Sequence, residues 1–329
     1  MTAPQPPSPP PLLFALGSSA AFGQQVAAGM GLQLSPHEER EFEDGEHKAR
    51  TLVPVRGRSA FVIHSLHGDA QQSANDKLCR MLFFIASLRD AGAASVTAVA
   101  PYLAYARKDR RTKPFDPVIT RYVADLFAAV GTDAVVTIDV HNIAAFENAF
   151  SCRTTNIEAA ALFAAHLAPL LGDGLVVVAP DAGAVKRADQ FRQQLALAGI
   201  DAGSALAEKY RSGGALTGSL LVGDLKDRPA LIFDDLVASG ETLVRTARAC
   251  REMGANRVIG VATHGAFAPG AAEILSDPAL EAIYVTDTVG TGRLAGSPTA
   301  DKVSVLPCAQ LFADAIRSLH DGADGDSEF

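Results

Sequence analysis

The sequence predicts an α/β protein that contains two copies of one structural unit, each a mainly parallel sheet flanked by helices. Apolar runs of strand length alternate with longer amphipathic segments, an order typical of parallel sheets covered on both faces. Two stretches also align without a gap, RDAGAASVTAVAP at 89–101 and REMGANRVIGVAT at 251–263. Both stretches end a helix at glycine and begin a strand, so they indicate a duplication.

The predicted strands are apolar runs at residues 59–65, 95–100, 134–139, 174–179, 229–234, 257–262 and 281–286. In the first copy, the strand leads into HSLHGDAQQSAN, which has neither an acidic pair nor a compact loop of small residues. We therefore expect only the second copy to bind a ligand at this position. The boundary between the halves is expected near residues 152–157.

Length and composition narrow the class of protein. A chain of 329 residues favours two domains. The charge, 29 − 37 = −8, with scattered basic residues, argues against a nucleic-acid or membrane partner. The four cysteines form no CxxC pair, which favours reduced thiols in the cytoplasm over a zinc or disulfide framework. Residues 1–11 lack the pattern of a signal peptide, and we expect them and residues 321–329 to be flexible tails.

The stretch LIFDDLVASGETLV, residues 231–244, carries the strongest functional signal. An apolar strand is predicted to end on Asp234 and Asp235, before a turn of small residues and a helix, and open α/β sheets bind ligands at such strand ends. The small side chains at 238–240 let backbone amides approach a phosphate at the helix start. Two carboxylates suit the vicinal hydroxyls of a sugar, so the stretch predicts a ribose phosphate site. A helix cap, the alternative, needs only one acid.

Residues 234–242 resemble the phosphoribosyl diphosphate loop of type I phosphoribosyltransferases and of ribose-phosphate diphosphokinases. The resemblance to the second family covers nearly the whole chain, from FALGSS at residue 14 to about residue 320. It implies two tandem type I phosphoribosyltransferase-like domains, 12–155 with the ATP-binding loops and 156–320 with the ribose 5-phosphate loop. The implied ribose 5-phosphate-binding residues are Asp234, Asp235, Ala238, Ser239, Gly240, Glu241 and Thr242.

Two further strand ends suggest metal ligands. Asp181, in VVVAPDAGAVKRA, can bind Mg²⁺ directly or through water, although it could instead cap the following helix. In VVTIDVHN, strand alternation would put Asp139 and His141 on one face, where they could share a metal ion or orient each other. The alternative is that a histidine at a strand end simply makes hydrogen bonds within the protein and binds no metal. The resemblance implies that His141 and Asp181 place magnesium on the phosphates of ATP.

The implied ATP-binding residues lie in two segments of the first half. PYLAYARKDRR, 101–111, is a run of cations that is usually only solvated. The resemblance implies that Arg107 holds the phosphates, with Lys108 and Asp109 nearby. In EFEDGEHKAR, 41–50, whose composition alone indicates nothing, the resemblance implies that Phe42 stacks on adenine while Asp44 and Glu46 accept from its amino group.

The segment AEKYRSGGALTG, 207–218, is expected to be a mobile flap. Cations on a closing flap suit phosphoryl transfer, although a cationic surface loop is the alternative. The resemblance implies that Lys209 and Arg211 are the catalytic residues. In THGAF, 263–267, we interpret His264 as structural support. The chain departs from the family at Lys108, usually glutamine, and at Glu241, usually glycine.

The implied activity is Mg²⁺-dependent transfer of the diphosphoryl group of ATP to the 1-hydroxyl of ribose 5-phosphate, giving phosphoribosyl diphosphate and AMP. Two alternatives remain: a phosphoribosyltransferase that consumes phosphoribosyl diphosphate, and a catalytically weak regulatory paralogue. Because the implied adenine loop and ribose loop lie in different halves, the resemblance also implies a homo-oligomer whose subunits share an active site.

Overall fold

The computed structural model describes residues 9–172, 174–212 and 215–322, without the side chains of residues 208–220. Its strands are β1 (Leu12–Ala15), β2 (His37–Glu41), β3 (His47–Thr51), β4 (Ser59–Ile63), β5 (Ser95–Val99), β6 (Ala134–Ile138), β7 (Arg153–Ile157), β8 (Val176–Ala179), β9 (Gly203–Ser212), β10 (Ala215–Val222), β11 (Pro229–Val237), β12 (Arg257–Gly265), β13 (Ala282–Thr286) and β14 (Val303–Leu306). Its α-helices are α1 (Ala20–Gly29), α2 (Ala74–Asp90), α3 (Ile119–Ala129), α4 (Ile143–Ala149), α5 (Ala160–Leu171), α6 (Val185–Leu197), α7 (Glu241–Glu252), α8 (Ala271–Leu275) and α9 (Ala309–Asp321).

Two sheets form the frame of the chain, and each is mainly parallel, as the sequence predicted. The first has the order β1-β4-β5-β6-β7 and is parallel throughout. The second has the order β10-β9-β8-β11-β12-β13-β14, in which only the pairing of β9 with β10 is antiparallel. The central strands are buried along nearly their whole length, because helices cover parallel sheets on both faces.

The predicted duplication is present in the topology. The path β1-α1-β2-β3-β4-α2-β5 is repeated as β8-α6-β9-β10-β11-α7-β12. The two aligned stretches end α2 and α7 and begin β5 and β12, with Gly92 and Gly254 at a φ of +89° in both turns. A positive φ favours glycine, which explains why both turns contain it.

The chain divides into two compact units, one formed by residues up to Ile157 together with those from Ala309 onward, the other by Glu158–Cys308. The sequence analysis assigned residues through 320 to the second domain, whereas the structure groups α9 with the first unit. The reason is packing on α1: the rings of Phe22 and Phe312 meet edge to face at 5.4 Å, and Arg317 donates to the carbonyl of Gly29 at 2.9 Å.

In the segment 207–218, expected to be a mobile flap, residues 207–212 belong to β9 and residues 215–218 to β10, while residues 213 and 214 lie outside the described residues. These strands form an antiparallel hairpin at one edge of the second sheet. Among the described residues, no helix combines the length and the apolar character needed to cross a membrane.

Candidate active site

The acidic pair lies where the second sheet changes direction. From β8 the chain adds strands on one side of the sheet, and from β11 it adds them on the other, so the crevice between the ends of these two strands is a topological switch point. Pairing of β11 with β8 stops at Ile232, whereas pairing with β12 continues to Val237. Asp234 and Asp235 therefore lie beyond the last paired residue of β8. The predicted strand end at Asp234 was three residues too early, because β12 continues to support β11.

Arg187 on α6 contacts both carboxylates of this pair. Its Nη1 atom lies 3.5 Å from an oxygen of Asp234 and 3.5 Å from an oxygen of Asp235. The side chain of Asp235 is 7% exposed and that of Asp234 is 25% exposed. Burial and the charge of Asp235 raise the pKa of Asp234 to about 7, although Arg187 acts in the opposite direction. The site therefore holds two carboxylates that compete for one cation.

The turn between β11 and α7 has the geometry of an anion cradle. Gly240 has a φ of +86° and is the residue before α7, so no side chain at that position can cap the helix. A Cβ on Gly240 would lie 2.6 Å from Leu275, so the turn also packs too closely for any larger residue. The end of the THGAF segment and the residue after it hold this turn, since the amides of Phe267 and Ala268 donate to the carbonyls of Val237 and Ala238.

Glu241 is the first residue of α7. Its side chain is exposed and lines a groove of about 770 Å³ between α7 and the segment around α8. Arg245 and Arg248 line the same groove, and Arg248 forms an ion pair with Asp277 at 2.6 Å. His264 is buried, with Nδ1 2.9 Å from the hydroxyl of Thr288, which agrees with a supporting role.

Asp181 follows β8 on the other side of the switch point. It is the N-cap of a short 3-10 helix, Ala182–Ala184, and its Oδ1 accepts from the amide of Gly183 at 3.0 Å. The capping role that the sequence analysis kept as an alternative is therefore present. The role of Asp181 as a magnesium ligand stays a prediction.

In the first unit, the implied adenine loop is the tip of the β2–β3 hairpin. Phe42 is 40% exposed, and the guanidinium of Arg40 lies 4.9 Å from its ring centroid. Asp44 accepts from the amide of Glu46 at 3.1 Å and so shapes the tip. Arg80 on α2 forms an ion pair with Glu41, which anchors the hairpin.

The implied phosphate-binding cations follow β5, and their environments differ. Arg107 is exposed. Lys108, which stands where glutamine is usual, forms an ion pair with Asp116 at 2.9 Å. Asp109 accepts from the side-chain amide of Asn142 at 2.6 Å, which brings this loop next to the segment after β6.

The predicted alternation of Asp139 and His141 on one strand face was wrong. β6 ends at Ile138, and Asp139 has a φ of +42°, so the backbone leaves the extended conformation between them. Asp139 is buried, while His141 is exposed beside Asn142. Only His141 of this pair is accessible to a ligand.

The structure thus assembles part of the predicted site. Asp234, Asp235 and the 238–242 turn share one edge of the second sheet, and Asp109 and His141 lie in adjoining loops of the first unit. Lys209 and Arg211 lie on β9, but their side chains are outside the described ones. Sequence analysis missed Arg187. The basic residues at the start of α6, after Asp181, were visible in the sequence. Their position in the sequence did not show that one of them contacts the acidic pair.

Comparison with known proteins identifies what the chain is similar to. Residues 12–131 match the model of the N-terminal domain of ribose phosphate pyrophosphokinase, and residues 215–327 match the phosphoribosyl synthetase-associated domain. The ribose-phosphate pyrophosphokinase of Caldanaerobacter subterraneus is 34% identical over 312 residues, which cover 94% of this chain and 95% of that protein. The ribose-phosphate pyrophosphokinase of Parasynechococcus marenigrum is 32% identical over 319 residues, covering 96% and 93%.

A solved structure agrees with these relatives. The crystal structure of phosphoribosylpyrophosphate synthetase from Mycobacterium smegmatis superimposes with a TM-score of 0.83 at 29% sequence identity. The match covers 94% of this chain and 99% of that one, so both sheets have counterparts there.

Proposed function

The chain belongs to the ribose-phosphate pyrophosphokinase family, and we propose that it transfers the diphosphoryl group of ATP to ribose 5-phosphate. The 1-hydroxyl oxygen of the sugar attacks the β-phosphorus, the bond from that phosphorus to the α-phosphate oxygen breaks, and AMP leaves. The products are phosphoribosyl diphosphate and AMP.

One observation carries this proposal: paired carboxylates and a helix start whose N-cap residue, Gly240, has no side chain lie at the switch point of the second sheet. Asp234 and Asp235 would accept hydrogen bonds from the sugar hydroxyls. The backbone amides of the 238–242 turn, with the hydroxyls of Ser239 and Thr242, would hold the 5-phosphate. A phosphorylated pentose carries both a phosphate and vicinal hydroxyls.

The first unit would supply the nucleotide site. Phe42 is exposed at the hairpin tip, where a base can stack on the ring face that Arg40 does not cover, and Asp44 and Glu46 would accept from the adenine amino group. Arg107, Lys108 and Asp109 would receive the phosphates. Because Lys108 pairs with Asp116, it would have to exchange that partner for a phosphate, so Arg107 is the stronger candidate.

The donor set fits a magnesium ion that arrives with the nucleotide. Among the described residues, no group of three His, Cys, Asp or Glu side chains could hold a metal. Mg²⁺ is commonly bound through one or two protein ligands, water and substrate phosphates, so one of the predicted ligands, Asp181 or His141, would suffice as the contribution of the protein. When bound, the ion would neutralise charge on the phosphates. Lys209 and Arg211 would stabilise the charge that develops during transfer.

We also propose a homo-oligomer in which the hairpin of one subunit completes the ribose site of another, because the two implied subsites lie in different units. A cytoplasmic location is proposed as well, since an enzyme with four free cysteines suits a reducing compartment.

The test is an assay of purified protein with ATP, Mg²⁺ and ribose 5-phosphate. Release of AMP in step with consumption of the sugar is expected. Binding of both substrates without AMP would indicate a regulatory protein, and pyrophosphate release from phosphoribosyl diphosphate plus a base would indicate a transferase; either result would overturn the proposal.

The acidic pair is tested in the same preparation by calorimetry. Asp234→Asn with Asp235→Asn should weaken ribose 5-phosphate binding at least about 100-fold, because hydrogen bonds to charged groups contribute about 1.5–3 kcal/mol each. The matched control is Asp201→Asn with Asp301→Asn, which removes the same charge from exposed positions of the second unit and should leave affinity unchanged. Equal affinity in both double variants would contradict the assignment.

A further inference from the structure

Arg187 occupies a position that the activity described above leaves without a role. It is the third residue of α6, its side chain is 16% exposed, and it is the cation that reaches both carboxylates of the acidic pair. Lys186, its neighbour on the same helix, is exposed. Two adjacent cations on one helix therefore have opposite environments, and only Arg187 faces the site.

The packing of α6 fixes where the guanidinium of Arg187 can lie. One helical turn further on, the ring of Phe191 stacks on that of Phe233, with centroids 4.4 Å apart and planes 4° from parallel. Residues four apart lie on the same helix face, and Phe233 directly precedes Asp234. The stacked rings therefore align α6 along β11 and deliver the Arg187 side chain to the end of the strand.

We propose that Arg187 is a positioning residue of the ribose site, which favours the ionised form of Asp234 and Asp235 and orients them to accept hydrogen bonds from the sugar hydroxyls. The inference rests on the proposed function, because it concerns the same site. Both distances are 3.5 Å, which is too long for a strong hydrogen bond, so each of these two contacts is mainly an attraction between opposite charges.

Two adjacent carboxylates away from water favour a shared proton, since like charges disfavour joint ionisation. A protonated carboxyl group donates one hydrogen bond, and it would compete with a sugar hydroxyl for the same partner. One guanidinium that contacts both acids opposes that protonation. The proposed role thus accounts for a cation that contacts both acids rather than one of them.

The other titratable groups around this strand end are few in the described residues. Asp181 lies on the segment between β8 and α6, and His264 on β12 is paired with Leu236. His264 is bound to Thr288 through Nδ1. The pair's own strand contributes Asp234 and Asp235, and α6 contributes Arg187, so the variants below change one cation in a defined set of charges.

The experiment measures ribose 5-phosphate affinity by calorimetry between pH 5.5 and pH 9 for the full chain and three variants. In Arg187→Met, the pH below which binding weakens should move upward by about 1–3 pH units, because an opposite charge at this distance lowers a carboxyl pKa by that amount. Above that pH, affinity should return to within about threefold of the original. Arg187→Lys should restore part of the shift, and Lys186→Met, which removes an exposed cation from the same helix, should produce none.

A second measurement does not depend on the ligand. The carboxyl titration of Asp234, followed by NMR in the free protein, should move upward in Arg187→Met and stay in place in Lys186→Met. If Arg187→Met does not fold, Arg187→Lys alone still tests the proposal through the smaller shift.

The outcomes separate two kinds of failure. A uniform loss of affinity at every pH, with the carboxyl titration unchanged, would overturn the positioning role and indicate that Arg187 binds the ligand directly. An unchanged pH profile and titration in both Arg187 variants would overturn it as well. Failure of the unsubstituted protein to bind ribose 5-phosphate at any pH would instead contradict the proposed function.

Discussion

The two units have the same turn from helix to strand, between α2 and β5 and between α7 and β12. Their connections from strand to helix, between β4 and α2 and between β11 and α7, are different. At the end of α2, Arg89 donates to the carbonyls four and five residues further on, at 3.5 and 3.2 Å. At the end of α7, Arg251 makes the same two contacts at 3.3 and 2.5 Å. In both units, the amide after the turn glycine bonds to the helix at 3.0 Å, Ala93 to Leu88 and Ala255 to Cys250.

The crevice at the other end of the strands is filled in the first unit. His64, which follows β4, is buried, and its Nδ1 lies 3.1 Å from the hydroxyl of Ser19. That hydroxyl also accepts from the amide of Ser65 at 2.9 Å. Lys77, whose side chain is 5% exposed, forms an ion pair with Asp69 at 2.6 Å. In the first unit, side chains of the protein thus occupy the position that corresponds to the proposed ribose site of the second unit.

The two helix starts differ in the same sense. Ser73 and Asp76 form a capping box at α2, so the protein's own oxygen atoms satisfy the amides there. At α7, Gly240 supplies no side chain, and the acids precede the turn. The two units therefore share the helix-to-strand turn and differ in the few residues between strand and helix, which are the residues of the proposed ribose site in the second unit.

The largest expected effect of a substitution is on the filled crevice. Asp69→Asn should lower the free energy of unfolding by about 3 kcal/mol, because it leaves the buried ammonium of Lys77 without a counter-charge. Lys77→Met should lower it less, since the Asp69 side chain that remains is 35% exposed and stays hydrated. Urea denaturation gives both values. Equal losses would show that the pair is not the reason for the burial of Lys77.

The next effect concerns the open turn. Gly240→Ala should lower the free energy of unfolding by about 2–3 kcal/mol, the sum of a strained left-handed backbone and overpacking against Leu275. Gly270→Ala is the matched control: its φ is also +86°, but a Cβ there would meet nothing within 4 Å. Thermal and urea unfolding should show the smaller loss in Gly270→Ala. Losses of equal size would mean that the backbone alone, and not the close packing, requires glycine at 240.

A third prediction is that the two crevices respond to pH with opposite signs. Burial lowers the pKa of His64 to about 4, so its contribution to stability is complete above about pH 6.5 and is lost as pH falls toward 4. The pKa of Asp234 is raised to about 7, so the folded state holds a proton that the unfolded chain releases, and stability falls as pH rises from about 4 to 7. Each slope is at most about 1.4 kcal/mol per pH unit.

Urea unfolding at pH 4.5, 6 and 8 tests both signs. The stability of Asp234→Asn relative to the original protein should rise across this range and level off above pH 7. The relative stability of His64→Gln should fall across the same range. Parallel pH dependence in the two variants would remove the proposed electrostatic difference between the crevices.

The smallest expected effects come from serine substitutions at the starts of α2 and α7, which are predicted to have a structural role and a binding role, respectively. Ser73→Ala should lower the free energy of unfolding by about 1 kcal/mol through loss of the capping box, with no change in ribose 5-phosphate affinity. Ser239→Ala should do the reverse and weaken binding with little loss of stability. Calorimetry and urea unfolding of both variants complete the test; a binding defect in Ser73→Ala would contradict the division of roles.

Sequence patterns predicted the fold class, the seven apolar strands and the duplication, because buried parallel strands are nearly all apolar and stand out from their surroundings. The hairpin β2–β3 was missed since HEERE and HKART have no apolar face that marks a strand. β9 and β10 were missed because their cations and glycines are typical of a loop.

The candidate site was predictable only where a motif is local. Asp234, Asp235 and Gly240 lie together in one stretch, so their grouping could be inferred from residue order. Arg187 reaches the same carboxylates across 47 positions, and the contact depends on how α6 packs on β11. For Asp139, the sequence predicted a shared strand face with His141 that the structure does not have. Side chains alternate only along an extended backbone, and the φ of +42° at Asp139 interrupts that conformation.

The helix that follows each sheet along the chain belongs to the other unit. α5 follows the last strand of the first sheet and packs on α6, while α9 follows the last strand of the second sheet and packs on α1. Arg317 and Gly29, which bond to each other, are 288 positions apart. A premature stop before Ala309 would therefore remove the helix that packs on α1, near the beginning of the polypeptide. During synthesis, α1 cannot complete its packing until the ribosome has made α9.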